Sequence, residues 1–238
     1  MKLPKLDLPL YKTTLPVRGD QIKYRPYTVK EEKIILIAAT TGEAEQLEDA
    51  VTQVLENCCS VEVEKLHPTD VEWLFIKNRI VSVGVEATVD IPVFKCTTPE
   101  CPESITTKVN LENDVVVKGK EILENTEGFV KKKDGWLVMF TEDIGMQFKI
   151  NTSKSKTEGD VLWDCFVSMY ISDQVISKED ITKEEYIAYM DDLPRPYADK
   201  IEFLFANQPW LVATVKGKCE HCGKEHSVEV SGILDFLE

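Results

Sequence analysis

Two close pairs of cysteines constrain this chain more than any other feature. Cys96 and Cys101 stand in FKCTTPECP, and Cys219 and Cys222 form a CxxC in GKCEHCGKEH. Each pair sits in a short loop between runs that read as strands. Two such knuckles facing each other supply the four thiolates of a tetrahedral structural zinc site. Two thiolates can approach one ion only if the backbone turns tightly. Gly223, directly after the second pair, permits the positive φ such a turn requires, and Pro99 and Pro102 stiffen the first loop. His221 and His226 are reserve ligands. The CxxC is the stronger half of the pattern; the wider first pair and the long span between the pairs weaken it. Reduced structural thiols and a redox CxxC are the alternatives. A redox pair opens a helix whose N-terminus lowers the thiol pKa, whereas here SVEVSGIL follows and alternates like a strand. Cys58, Cys59 and Cys165 fall on or beside apolar helix faces and read as buried small hydrophobes.

The chain has 238 residues, enough for one large domain or two small ones. No apolar run approaches the ~20 residues that cross a bilayer, and MKLPKLDLPLYK has no long apolar stretch of the kind a secretory signal carries. Seven cysteines without an export signal point to a reducing cytoplasm. The net charge of −14 opposes nucleic-acid binding, which demands a basic footprint. Lys131, Lys132 and Lys133 adjoin the turn pair Asp134-Gly135 and read as a solvated loop.

Residues 1–27 are punctuated by Pro4, Pro9, Pro16 and Pro26 and are rich in leucine. They read as an extended arm lying on this protein or a partner, which points to assembly. Three helices follow in 28–84. Thr28 and Glu31 form a capping box before a run, Ile34 to Ala39, that is apolar all round, so the first helix is expected to be buried on several sides. The second, from about Glu43 to Cys58, has a single apolar stripe. The third opens at a second capping box, Thr69 to Glu72, and is apolar on two sides. Arg79 lies between those stripes, either as a surface arginine whose stem covers apolar neighbours or as an interface or buried-pair arginine. From Val85 the pattern turns to strands, with two hairpin arms around the first cysteine pair, a turn at Asp134-Gly135 and further short strands to residue 150. Helices are predicted over Glu158–Ile171, from the Thr182–Glu185 capping box through Met190, and over Tyr197–Asn207. If the two knuckles share one metal, the C-terminal hairpin packs beside the hairpin at 85–111.

The expected fold is therefore α+β: an N-terminal helical segment plus a small antiparallel β platform with a zinc-ribbon-like four-cysteine site and an α/β insertion. The expected division is an arm at 1–27, a helical region at 28–84, and a β-rich domain at 85–238 with inserted strands and helices at about 112–207. There is no GxGxxG, Walker loop, GxSxG or HExxH, and a four-thiolate site leaves no open coordination position. The chain reads as a non-enzyme.

LPVRGDQIKYRPYTVKEEKIILIAA (15–39) resembles the N-terminal signature of the T-even bacteriophage baseplate hub and hub-assembly protein family. The likeness is carried by Leu15, Pro16, Arg25, Pro26, Tyr27, Thr28, Lys30, Glu31, Glu32 and Lys33, with Tyr27 where the family usually has Phe. DVEWLFIKNRIVSVG matches through Leu74, Phe75, Arg79, Ser82, Val83 and Gly84. A C-terminal block matches through an Ile-x-Phe-Leu-Phe helix, Pro209, the CxxCG turn, Gly232 and Phe236. The three blocks cover roughly half the chain, and about 112–180 is read from its residues alone.

That resemblance implies a structural or assembly (chaperone-like) protein of a contractile tail, acting in the host cytoplasm during assembly or retained in the virion baseplate. It brings no catalytic residues. The implied partners are other hub and tail proteins, with a homo-oligomer within the hub as a further option, and no nucleic acid or membrane. Leu6, Leu8, Leu10, Trp73 and Arg79 are the candidate partner-binding residues, and zinc on Cys96, Cys101, Cys219 and Cys222 is the candidate cofactor. The alternative is a zinc-ribbon adaptor of another cytoplasmic complex; a zinc- or thiol-dependent enzyme is the third reading.

Overall fold

The computed structural model describes residues 7–92, 104–133, 135–150, 157–233 and 236. In chain order the elements are β1 (Tyr11–Thr14), β2 (Gln21–Tyr24), α1 (Val29–Thr41), α2 (Ala44–Cys58), α3 (Pro68–Ser82), β3 (Glu86–Pro92), β4 (Ser104–Asn110) and β5 (Val115–Lys118). They continue with α4 (Lys120–Glu124), β6 (Phe129–Lys132), β7 (Gly135–Met139), β8 (Ile144–Phe148), α5 (Glu158–Cys165), β9 (Phe166–Ile171) and β10 (Gln174–Ser177). The last are α6 (Lys183–Asp191), α7 (Arg195–Ala206), β11 (Trp210–Lys218) and β12 (Glu225–Val230). The chain is thus mixed α and β, and every strand pairing among the described residues is antiparallel.

These elements form two compact units. The first comprises Met1–Val63, Thr69–Lys118 and Trp210–Glu238; the second comprises Glu64–Pro68 and Gly119–Pro209. The arm, the three helices and the cysteine hairpins, which the sequence reading kept apart, share the first unit. The segment read as an insertion at about 112–207 supplies most of the second.

In the first unit β1 and β2 form a hairpin from Tyr11↔Tyr24 to Thr14↔Gln21, so residues 11–24 are a folded hairpin and not an extended arm. Its turn closes through Leu15 N–H on the Asp20 carbonyl at 2.9 Å. Capping works as expected at α1, where Thr28 N–H donates to Glu31 Oε2 at 2.7 Å and Gly42 ends the helix in the left-handed region. It does not at α3. That helix begins at Pro68 itself, because a proline needs no N–H in the first turn, and Thr69 is already inside it. The strands of this unit form a two-stranded β3–β4 hairpin and a three-stranded sheet ordered β12-β11-β5.

The second unit is a five-stranded meander ordered β10-β9-β8-β7-β6. Its core gathers Trp136, Val138, Met146, Phe148 and Phe166 from the sheet and Phe140 just past β7 with Tyr186, Ile201 and Leu204 from α6 and α7. The predicted helix over Glu158–Ile171 is corrected here. Only Glu158–Cys165 is helical, and Phe166–Ile171 is a strand paired with both β8 and β10. A segment of β-branched and aromatic residues offered two neighbouring strands takes the ladder over the next helical turn. The Thr182–Glu185 capping box forms, with Thr182 N–H on Glu185 Oε2 at 2.8 Å. His67, buried at 5% exposure, meets Gln208 Oε1 at 3.2 Å, and burial holds its pKa down at about 4.

Gly135 has φ +119, and a Cβ there would lie 2.0 Å from the Phe148 carbonyl oxygen. Gly135→Ala is therefore expected to destabilise the chain by roughly 3 kcal/mol, from left-handed strain plus displacement of β8. Urea denaturation checks this, with Gly159→Ala, where a Cβ meets open space, as the control.

Candidate interaction surface

The first unit is organised around one polar node built by the RPYTVKE motif. The Arg25 guanidinium grips Glu31 with two hydrogen bonds, at 3.0 and 2.7 Å, and donates to the Asn57 carbonyl at the end of α2 at 3.0 Å. Asn78 of α3 donates from Nδ2 to the Arg25 carbonyl at 2.9 Å. Ser82 Oγ accepts from Tyr27 N–H at 3.0 Å and donates to the Asn78 carbonyl at 2.6 Å. One arginine and one carboxylate thus tie β2 to three helices. The Arg25 bonds hold the Glu31 pKa down at about 2. A second buried acid, Asp70, accepts Val17 N–H at 2.8 Å and Arg18 N–H at 3.1 Å, pinning the β1–β2 turn to α3.

The candidate partner-binding residues fall on different levels of this unit. Leu6 lies outside the described residues. Leu8 and Leu10 are exposed, at 37% and 71%. Trp73 is half-buried; its Nε1 donates to Thr13 Oγ1 at 3.0 Å, and Lys77 Nζ sits 4.5 Å from its ring centroid. Arg79 corrects the reading of a surface arginine: it is 5% exposed and donates to the carbonyls of Glu86 at 3.1 Å and Gly84 at 3.4 Å. Its charge serves the α3–β3 corner, so it has no outward guanidinium to offer a partner. The two-sided pattern of α3 is explained only in part: Val71, Leu74, Phe75 and Asn78 are buried on one side, whereas on the other Ile76 is buried, Trp73 and Ile80 are half-buried, and Val83 just past the helix is 58% exposed.

Cys96 and Cys101 lie outside the described residues, so only the loop of the second pair can be described. Cys219 is buried and Cys222 exposed. The loop turns as a knuckle should: Cys219 N–H donates to the Lys224 carbonyl at 2.9 Å, Gly223 N–H to the Cys219 carbonyl at 2.8 Å, and Gly223 has φ +71. Among the described residues no group of three or more His, Cys, Asp or Glu side chains is placed to hold a metal ion. Cys58 and Cys165 are buried and Cys59 half-buried. Burial pushes the Cys58 and Cys59 thiols up to about 11 and about 12, which suits packing and not redox work.

One protein family, described as T4 bacteriophage base plate protein, matches this chain over residues 8–238. The chain belongs to that family. No curated protein and no solved structure matches it. Part of the base plate resemblance in the sequence falls on the polar node: Arg25, Thr28 and Glu31 form it, and Ser82 closes it. In this base plate protein the most specific stretch of sequence therefore does two things: Arg25 and Glu31 face inward on the node, while Lys30 and Lys33 are exposed on α1.

The sequence reading missed the outward face of α1. Leu36 and Ile37 are 50% and 67% exposed, so this helix is not buried on several sides. The signal was present in the spacing of Lys30 and Lys33, which share that face. It also missed the burial of Asp70, whose place inside an apolar helix pattern was the available sign.

Stability should follow pH through two carboxylates of opposite sign. Glu31, depressed in the fold, contributes stability that is complete above its ordinary pKa near 4.5 and lost as pH falls through about 2. Glu72 is raised to about 7, by burial first and then by the charge of Glu48, so its contribution is present below 4.5 and lost as pH rises through about 7. Glu31→Gln is expected to remove roughly 2–3 kcal/mol at pH 7, whereas Glu72→Gln should raise stability at pH 8 and leave it unchanged at pH 4. Urea denaturation across that range measures both.

Proposed function

We propose that this chain is a non-enzymatic subunit or assembly factor of the baseplate hub in a contractile phage tail. The observation that carries the reading is the family match across residues 8–238. Such a match favours the baseplate over an adaptor of another cytoplasmic complex. Other baseplate proteins are the partners this reading supplies, and exposed Leu8 and Leu10 are contacts it would use. An infection in which the gene carries an early stop codon tests it. The expected result is failure of hub assembly, rescued by the intact chain. Mass spectrometry of finished particles then separates a retained subunit from an assembly factor. Complete, infective particles at normal yield without the chain would overturn the proposal.

We further propose that Cys96, Cys101, Cys219 and Cys222 hold one structural zinc ion as a scaffold. One observation favours this. Thr107 of β4 donates from Oγ1 to the Lys216 carbonyl of β11 at 3.3 Å. The tight turn after Asn110 carries β4 into β5, whose Val115 pairs with Ala213. Those two points run β4 antiparallel to β11. The start of β4, three residues after Cys101, then comes to the same end of the unit as the end of β11, next to Cys219. The knuckle bonds at Cys219 and Gly223 fit a thiolate pair on one ion. Purified chain is expected to carry one zinc per molecule by elemental analysis. Cys219→Ser should release it and lower Tm by about 10 °C or more. A metal-free chain whose Tm is unmoved by both chelator and Cys219→Ser would refute the site.

A further inference from the structure

The outward face of α1 has features that the fold does not use. Val29, Leu36 and Ile37 are 67%, 50% and 67% exposed. With Lys33 and Thr40 they recur at the spacing of one helical stripe, opposite the buried Glu31, Ile35 and Ala38. Aliphatic side chains this exposed on a well-capped helix leave apolar area in water that a partner would remove. The stripe is also basic. Lys30 and Lys33 are exposed, whereas of the two acids of the helix Glu31 is buried on the opposite side and Glu32, at the edge of the stripe, is half-buried. Among the described residues neither lysine forms an ion pair. In a chain of net charge −14, a helix face with two exposed lysines against one half-buried carboxylate is a local reversal of sign.

We propose that this face docks an acidic amphipathic helix of another subunit, with the partner's apolar stripe on Leu36 and Ile37 and its flanking carboxylates on Lys30 and Lys33. The proposal rests on the reading of the chain as a contact-making baseplate protein and names the surface and the partner chemistry. Charge selects this occupant over the others. A second copy packed face to face would set lysine against lysine between two chains of −14. The N-terminal arm brings Lys2 and Lys5, again like against like. An acidic helix satisfies both halves of the face at once: ridges of apolar side chains pack between the helices, and opposite charges at the rim fix orientation and speed association.

The test is a fluorescence-anisotropy titration of the full chain with a labelled synthetic helix carrying leucines at i, i+3, i+4 and i+7 flanked by glutamates. A second peptide has lysine at every glutamate position. The glutamate peptide is expected to bind saturably with Kd of order 10 μM. Binding should weaken at least tenfold in Leu36→Asp/Ile37→Asp and in Lys30→Glu/Lys33→Glu, and fall as salt rises. The lysine pair changes only surface charge, so it carries the test even if the aspartates unsettle the helix. No saturable binding, equal binding of both peptides, or undiminished binding by both variants would overturn the proposal. So would a wild-type dimer in sedimentation velocity that Leu36→Asp/Ile37→Asp dissolves, or binding that appears only once residues 1–10 are removed. Because the titration reads this face alone, its failure leaves the stop-codon result for the baseplate role standing.

Discussion

The paired hydrogen bonds between Arg25 and Glu31 are the constraint on which the first unit depends. Glu31 does two jobs with one carboxylate: it closes the capping box at the start of α1 and it takes the guanidinium of Arg25. Arg25 in turn reaches the end of α2, and its carbonyl is held by α3 through Asn78. A planar fork suits this role because it presents several donors in fixed directions. Lysine could neutralise Glu31 but could not hold the carboxylate and the Asn57 carbonyl in the same geometry. Loss of either partner leaves the other charge largely buried, which costs more than the pair contributes by itself.

That node frees other surfaces for contact. Arg79 and most of α3 are consumed internally, and Trp73 ties α3 to the β1 strand through Thr13. Much of the exposed apolar area in the first unit lies on α1 and on the segment leading into β1, where Leu10 is 71% exposed; Val83, Val116 and Trp210 are further exposed points. For a base plate protein this division is physically sensible. The interior is locked by short-range hydrogen bonds, and the outward stripe remains available because α1 needs only one side to hold its place.

Local chemistry accounts for what could be read in advance. The boxes at Thr28 and Thr182, the stop at Gly42 and the turn at Gly223 each depend on a few neighbouring residues, and each stands where the residues placed it. The C-terminal hairpin does pack beside the β3–β4 hairpin; the sequence pointed to this only on the condition that the two cysteine pairs share one metal. The reading failed where a neighbour distant in sequence decided the outcome. Phe166–Ile171 continued an apolar helical stripe but found strands β8 and β10 on either side. Thr69 had the residues of a cap but followed a proline that had already begun the helix.

The cysteine spacing, the capping pattern and the RPYTVKE motif were determined by the sequence itself, and with them the family and the α+β class. Those features act within a turn or a loop, where the chain is its own environment. Only the tertiary structure decided that Arg79 points inward, that Asp70 anchors a distant turn, and that Leu36 and Ile37 face water. Burial is a property of what packs against a residue, and an apolar run such as Ile34 to Ala39 reads the same whether one side or all sides are covered.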